Sequence, residues 1–275
     1  MFDTHCHLND PVFENNLLKV INNARDEGVK KFLIPGMNMG DIKKSLKIST
    51  DFENVYTACA IHPTEKLDEI ETDKLFYDLQ KLIDDNEIII AIGETGLDYY
   101  KYKSPVSLQK QFLEEHIKLA IKNDLPLIIH NRHATTDLIP LLIHRCISSN
   151  FNRIVLHCCP PEKELLNFVS TTGPKSVIIT DGANGAYAKE NTNYYHIGIL
   201  PVDAISRTGA GDAFSAGCLS ALIKGKTLPE ALIWGTVNST SVIGYVGPQT
   251  GLLKESGMAT WMDRARSSGV RVEKF

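Results

Sequence analysis

The sequence predicts an α/β protein of two dissimilar parts, six β/α units over residues 1–159 and a second α/β part over residues 173–275. Two observations predict this fold. Up to about residue 158, short apolar segments alternate with longer amphipathic ones, and a regular β/α repeat requires a parallel sheet, either a barrel or a doubly wound layer. After Pro160-Pro161, closely spaced strand-like segments are followed by helical ones. Residues 160–172 are a junction whose helix could belong to either part.

The first part begins with a strand at residues 1–4, followed by five apolar stretches typical of buried parallel strands. The predicted strands are Lys31–Ile34, Val55–Ala60, Ile88–Ile92, Leu127–His130 and Ile154–His157. Helical periodicity predicts helices over Glu14–Glu27, Asp41–Ser49, Asp73–Asp84, Val106–Lys122 and Thr136–Cys146. A closed barrel of this kind requires eight β/α units, so six units predict an incomplete barrel.

The second part begins with a predicted β-hairpin. Ser176–Thr180 and Ala186–Lys189 flank a turn rich in glycine and asparagine. A further strand is expected over Tyr194–Leu200. Helices are predicted at Asp212–Ile223, Leu228–Ile243 and Glu255–Ser267.

Composition indicates a cytoplasmic protein with reduced thiols. The chain is 43% hydrophobic and 23% charged, which is ordinary for a globular domain. A net charge of −4 argues against a general basic surface for nucleic acid, although a metal centre could hold a phosphodiester locally. We expect no signal peptide and no membrane segment, because no apolar run approaches about 18 residues. The six cysteines lack the spacing of zinc fingers or secreted disulfide frameworks. The oligomeric state is left open.

Metal-binding side chains lie at the ends of four predicted strands. His5 and His7 are two residues apart, so both side chains point to one face of a strand. Glu94, His130 and His157 follow or end later strands, and parallel β/α proteins place their chemistry at these carboxyl ends. Imidazole and carboxylate ligands suit zinc, manganese, magnesium or another divalent ion, and Glu94 could bridge two ions as a catalytic carboxylate.

The motifs around these residues resemble those of the TatD family of metal-dependent hydrolases. The matching segments are Asp3-Thr4-His5-Cys6-His7-Leu8, Ile61-His62-Pro63, Ile92 through Tyr99, Leu125 through Arg132 and Val155-Leu156-His157-Cys158. The resemblance implies a TIM-barrel hydrolase, often a nuclease, that cleaves phosphodiesters such as a nucleic-acid end with one or two divalent ions. It implies that His5, His7, Glu94, His130 and His157 bind metal. Asp98 and Arg132 match positions near the family's substrate.

The resemblance is incomplete. The family's last strand carries an aspartate, in a Glu-Thr-Asp context, that binds metal and helps to activate water, and no such segment follows His157. The seventh and eighth β/α units are absent, which leaves an open barrel edge. His116 and His144 lie in predicted helices, where packing or surface roles are expected. His62 and His133 could line the mouth of the site, but the sequence does not single them out.

A glycine-rich segment in the second part predicts an anion site. Thr208-Gly209-Ala210-Gly211-Asp212 opens a predicted helix, where free backbone N–H groups can hold a phosphoryl group. Asp212 can then accept the proton of an attacking hydroxyl.

From about Lys175 onward the chain resembles the C-terminal part of the PfkB, or ribokinase-like, carbohydrate kinases. The matching segments are Ile178 through Gly182 with Gly185-Ala186, Thr208 through Asp212, and Asn238 through Gly247-Pro248-Gln249. The resemblance implies ATP with magnesium and a sugar or nucleoside acceptor. Asp212 matches the base and Gly209, Ala210 and Gly211 match the anion hole, while Thr180, Gly182 and Asn238 are expected near ATP. Ser206-Arg207 replaces the family's acidic residue and threonine, and residues 1–159 contain no counterpart of its acceptor lobe.

Three functional hypotheses follow. The first is a metal-dependent phosphodiesterase with an incomplete metal site. The second is an ATP-dependent carbohydrate or nucleoside kinase without its acceptor lobe. The third is a non-catalytic chimera, formed by gene fusion or engineering. The first is favoured because it retains five candidate metal ligands.

Overall fold

The computed structural model describes residues 2–67, 72–101, 103–157, 162–171, 174–247 and 250–275. The chain divides into two compact units, Met1–Cys159 and Pro160–Phe275. Each unit has its own sheet. Cys158, Pro160-Pro161 and Pro248-Gln249, which the sequence motifs and the predicted junction include, lie outside the described residues.

The first unit is built on a six-stranded parallel sheet whose strand order follows the chain. Its strands are β1 (Phe2–Asp3), β2 (Lys31–Ile34), β3 (Val55–Cys59), β4 (Ile89–Asp98), β5 (Leu127–Arg132) and β6 (Ile154–His157). The predicted α/β class and the six β/α units are therefore confirmed. β1 and β6 are the edge strands of this sheet.

One strand differs from the prediction in a way that matters for the site. β4 was expected to end at Ile92, but it continues to Asp98. The register with β5 shifts between Ile92 and Thr95, and pairing then resumes from Thr95 with Ile129 to Asp98 with Arg132. Glu94 and Asp98 therefore lie within the strand instead of in a loop after it, because β5 offers backbone partners along this length.

Among the described residues of this unit, five α-helices accompany the sheet, and their bounds lie close to the predicted ones. They are α1 (Leu17–Asp26), α2 (Met39–Asp51), α3 (Thr72–Asp85), α4 (Val106–Asn123) and α5 (Thr135–Arg145). α1 begins three residues later than predicted, after a short 3-10 helix over Pro11–Phe13 that the Asp10 side chain caps. Ile92, Ile129 and Leu113 are buried in the core of this unit, and their burial fixes β4 and β5 against the helices.

The second unit contains the helix α6 (Lys163–Thr171) and an antiparallel sheet in the order β10-β9-β8-β7. The strands are β7 (Ser176–Thr180), β8 (Ala186–Glu190), β9 (Asn193–Ile197) and β10 (Val272–Lys274). The predicted hairpin of β7 and β8 is present, and β9 ends three residues before the predicted Leu200. β10 was not predicted, because its three residues are too few to show alternation and it pairs with a strand distant in sequence.

Three helices complete this unit: α7 (Ala210–Ile223), α8 (Leu228–Ile243) and α9 (Glu255–Ser267). α7 and α8 approach closely at two glycines. A Cβ atom on Gly217 would lie 2.7 Å from the Trp234 carbonyl oxygen, and one on Gly235 would lie 2.5 Å from the Cys218 Sγ. The two helices can approach this closely because glycine has no side chain at these positions. No helix in the described part of the chain is long and apolar enough to span a membrane.

Candidate metal centre

A buried carboxylate, Glu94 on β4, lies at the centre of a group of imidazoles in the first unit. Its side chain is 4% exposed. Its Oε1 atom is 2.9 Å from His130 Nδ1, 3.4 Å from His62 Nε2 and 3.8 Å from His157 Nε2. Its Oε2 atom is 3.4 Å from His5 Nε2. The ends of β1, β3, β4, β5 and β6 thus supply side chains to one point, as expected for a parallel β/α sheet.

The potential ligand atoms form two groups that share Glu94. His5, His7 and Glu94 form one, and His62, Glu94 and His130 form the other; within each group the ligand atoms lie within 4.8 Å of one another. Imidazole nitrogens with a carboxylate suit zinc and related divalent ions, and a carboxylate with two oxygens can serve two ions. The donor set therefore fits one or two divalent metal ions.

The two edge strands, which are not neighbours in the sheet, both contribute residues to this centre. The His5 and His157 rings stack with centroids 4.0 Å apart and an interplanar angle of 9°. His7 meets His5 edge-on at 5.1 Å. The sheet therefore curls enough for the residues after β1 to reach the end of β6, so that six strands bring together all five of the predicted ligands.

Asp98 lies behind His130 as seen from Glu94. Its Oδ2 atom is 2.9 Å from His130 Nε2, and its Oδ1 atom accepts hydrogen bonds from the backbone N–H groups of Tyr100 and Lys101 at 2.8 and 2.7 Å. Asp98 is 1% exposed. A carboxylate that accepts the Nε2 proton makes the Nδ1 atom of His130 available to a metal, which is the arrangement common around ligating histidines. Arg132, the other residue predicted near substrate, lies with its guanidinium 4.2 Å from the Tyr100 ring centroid.

The electrostatics favour a neutral His5 beside an ionised Glu94. Burial, together with the neighbouring His157, lowers the pKa of His5 to about 3. Burial raises the pKa of Glu94, but hydrogen bonds from His130 and His62 outweigh it and hold that pKa well below its usual range. Metal ligands must be deprotonated to bind, so these protonation states suit metal binding at neutral pH.

His62 is the residue of this centre that sequence reasoning did not single out. It follows β3 in the segment Ile61-His62-Pro63 and is 5% exposed. The signal was its place directly after a strand, which it shares with the predicted ligands. His116 is buried and bonds to the Ile61 N–H through Nε2 and to the Phe112 carbonyl through Nδ1, which is the packing role expected for it. His133 and His144 are exposed.

The second unit contains a cavity of about 360 Å³. Four of the residues predicted to bind ATP line it, two from the β7–β8 turn region and two from the start of α7: Thr180, Gly182, Ala210 and Gly211. Arg207 also lines the cavity and is exposed, so it offers a positive charge there.

The other predicted residues of the second unit do not line this cavity. Gly209 is the N-cap of α7 with a φ of 80°, a conformation that favours glycine. Asp212 is exposed in the first turn of α7. Asn238 is buried, and its amide donates to the Ala213 carbonyl at 2.7 Å and accepts from the Leu253 N–H at 2.9 Å. These bonds occupy both ends of the Asn238 side chain.

Known proteins are related in sequence to about half of this chain. Bacillus subtilis YabD, described as an uncharacterized metal-dependent hydrolase, is 36% identical over 142 residues, which cover 52% of this chain and 54% of that protein. The Schizosaccharomyces pombe protein named deoxyribonuclease Tat-D is 28% identical over 160 residues, covering 51% of each. The chain thus spans about half the length of the curated relatives it matches.

Solved structures agree with this relationship. YjjV, a TatD homolog from Escherichia coli, aligns with a TM-score of 0.55 and 25% identity over 63% of this chain and 65% of that one. A nucleoside kinase and a ribokinase align at TM-scores of only 0.39 and 0.45, so the interpretation of the second unit rests on its own motifs and cavity. The model of the TatD related DNase family matches residues 2–203. That match extends beyond β6 and includes the antiparallel strands β7, β8 and β9. The chain belongs to the family of TatD related DNases.

Proposed function

We propose that the first unit is a divalent-metal-dependent phosphodiesterase that acts on nucleic acid. The observation that carries this proposal is the convergence of five imidazoles on the buried Glu94 carboxylate at the carboxyl ends of the strands. The description of the family, a TatD related DNase, and the names of the relatives, a metal-dependent hydrolase and a deoxyribonuclease, support this proposal.

The residues of the chain have distinct roles in this proposal. His5, His7, Glu94, His130 and His157 hold one or two divalent ions. A divalent ion bound there supplies a Lewis acid for a phosphate oxygen and lowers the pKa of water. The protein side chains hold the ions, set the protonation of the ligands and position the phosphate.

Asp98 and the surrounding burial set the state of these ligands. Asp98 accepts the Nε2 proton of His130 and so keeps the Nδ1 atom available. Burial keeps His5 neutral. Arg132 is proposed to lie near the phosphate, where a planar guanidinium suits phosphate oxygens.

The rate of hydrolysis should be low. The aspartate of the family's last strand has no counterpart after His157, where the described chain continues into α6 and an antiparallel sheet. Loss of a group that activates water or stabilises developing charge costs on the order of 10² to 10⁴ in rate. We therefore expect weak but metal-dependent activity.

Hydrolysis of an end-labelled DNA oligonucleotide tests the proposal. The purified chain should cleave phosphodiester bonds with zinc, cobalt or manganese present and stop when a chelator is added. Glu94→Gln should abolish this activity, because the amide removes the charge shared by both groups of ligands. Glu87→Gln removes an equivalent charge from an exposed site just before β4 and should leave the rate unchanged. Equal rates of hydrolysis in Glu94→Gln and the unaltered chain would rule out this centre as the source of the activity.

A second candidate function is ATP binding in the second unit, and the cavity favours it. The β7–β8 turn and the glycine-rich start of α7 line one cavity, and backbone N–H groups at a helix start suit a phosphate. Phosphoryl transfer should remain slow, because an acceptor hydroxyl must be held about 3 Å from both the base and the γ-phosphate. The sequence provides no counterpart of the acceptor lobe that would hold it.

Calorimetry with ATP and magnesium tests this second candidate. Ser239 lines the cavity and Ser215 is exposed on α7 outside it, so Ser239→Phe should abolish binding while Ser215→Phe should not. Asp212→Asn should leave the affinity nearly unchanged. Fast sugar or nucleoside phosphorylation that depends on Asp212 would show that an acceptor site exists. If neither ATP binding nor hydrolysis is detected, the non-catalytic chimera is the better account. The cytoplasmic location stays a prediction.

A further inference from the structure

We propose that His62 is a metal ligand, and that with Glu94 and His130 it forms a three-residue site selecting a nitrogen-preferring ion such as zinc or cobalt over magnesium. This inference rests on the proposed metal-dependent function and deepens it. It assigns a ligand to the position after β3, which the sequence did not single out.

The geometry of His62 is that of a ligand. Its Nε2 atom lies 3.4 Å from Glu94 Oε1, the same oxygen that lies 2.9 Å from His130 Nδ1. The potential ligand atoms of the three residues lie within 4.8 Å of one another, and all three residues are buried. The His62 and His130 rings meet edge to face with centroids 4.6 Å apart. Both rings therefore direct a nitrogen towards one carboxylate oxygen.

The orientation of His62 is fixed from its other side. Its Nδ1 atom is 2.6 Å from the Thr64 hydroxyl. The Thr64 backbone N–H also donates to this nitrogen at 3.2 Å. Thr64 thus holds the ring with Nε2 directed at Glu94, and a ligand role for His62 requires that Nε2 be deprotonated.

The consequence is a donor set rich in nitrogen. The family's additional aspartate is absent, and His62 supplies an imidazole to the group that contains His130. This group then has two imidazoles and a single carboxylate. Imidazole suits zinc, cobalt and nickel, whereas magnesium prefers oxygen ligands and retains its waters. A group with two imidazoles and one carboxylate therefore favours zinc or cobalt over magnesium.

The alternative role for His62 is that of a hydrogen-bond donor to Glu94 with no part in metal binding. The two roles differ in what His62→Gln does. A glutamine amide retains a hydrogen-bonding group near Glu94, but it is a poor ligand for zinc or cobalt. Metal binding should therefore be lost only if His62 is a ligand.

Cobalt(II) titration of the metal-free full chain, followed by visible absorption and by metal analysis after dialysis, tests the inference. Relative to the unaltered chain, His62→Gln and His62→Ala should weaken the binding of one cobalt ion by about 100-fold or more, and Thr64→Val by about 10-fold. His144→Ala removes an exposed histidine in α5 and should change nothing. Magnesium at millimolar concentration should not displace the ion.

Cobalt binding and spectra in His62→Gln that match those of the unaltered chain would overturn the inference. Circular dichroism shows whether each variant has folded. If one His62 variant does not fold, cobalt binding by the other His62 variant decides whether His62 is a ligand. The titration contains no substrate, so its outcome is independent of hydrolysis. A chain that binds cobalt through His62 but cleaves no phosphodiester would refute the proposed function alone.

Discussion

Replacement of Asp98 by asparagine should weaken metal binding while it leaves the fold of the first unit intact. The Oδ1 atom of Asp98 accepts the backbone N–H groups of Tyr100 and Lys101 at 2.8 and 2.7 Å, and asparagine retains an oxygen for both bonds. The Oδ2 atom, 2.9 Å from His130 Nε2, is replaced by an amide nitrogen. The substitution therefore converts an acceptor into a donor at a single contact.

The changed contact should reverse the tautomer of His130. An amide that donates towards Nε2 favours the ring with its proton on Nδ1, and that proton then points at Glu94 Oε1, 2.9 Å away. The lone pair needed by a metal is no longer there. Loss of such a supporting carboxylate typically costs 10- to 100-fold in metal affinity, which corresponds to about 1.4 to 2.7 kcal/mol.

Competition with a chromophoric chelator measures this change, with zinc or cobalt as the ion. Asp85→Asn, an exposed position at the end of α3, is the matched control and should bind metal as the unaltered chain does. Thermal unfolding of the metal-free proteins shows whether the fold is retained. A folded Asp98→Asn variant with unchanged affinity would refute the proposed role of Asp98.

Two further predictions concern stability. Gly217→Ala should destabilise the second unit by about 1 to 3 kcal/mol, because the added methyl group meets the backbone of α8; Gly257→Ala, where a Cβ atom meets nothing within 4 Å, should be neutral or stabilising by up to about 1 kcal/mol in chemical denaturation. Burial lowers the pKa of His116 from 6.5 to about 4, so the unfolded chain binds the proton first as the pH falls. The free energy of unfolding of the first unit should therefore decrease between about pH 6.5 and 4, by up to about 3 kcal/mol from this group. His116→Gln should flatten that slope, and an unchanged slope would contradict the assignment.

Much of the first unit could be predicted because its central strands, β2 to β5, are buried along most of their length and read as apolar runs. Glu94, His130 and His157 were predicted from their positions at strand ends, and the structure brings them together. The continuation of β4 to Asp98 was not predicted, because it depends on pairing with β5 and on a shift in register. His62 was not singled out, because a lone histidine after a strand carries no pattern until its neighbours in space are known.

In the second unit, too, the features that depend on contacts distant in sequence could not be predicted. The hairpin and the three helices follow from local sequence, whereas β10 depends on a partner strand some 75 residues earlier in the chain. Asn238 was predicted near ATP from its motif, but its side chain bonds to two backbone groups, a detail that only packing determines. Whether Asp212 and Gly209 take part in binding stays a prediction.

Anomalous X-ray diffraction from crystals of the full chain soaked in cobalt or zinc tests the central claim most directly. We predict an anomalous peak within about 2.0 to 2.2 Å of a Glu94 carboxylate oxygen, with His62 and His130 nitrogens at similar distances. A second peak is expected on the side of His5 and His7. A fully occupied metal bound elsewhere, or no peak at Glu94 at a saturating metal concentration, would contradict the account.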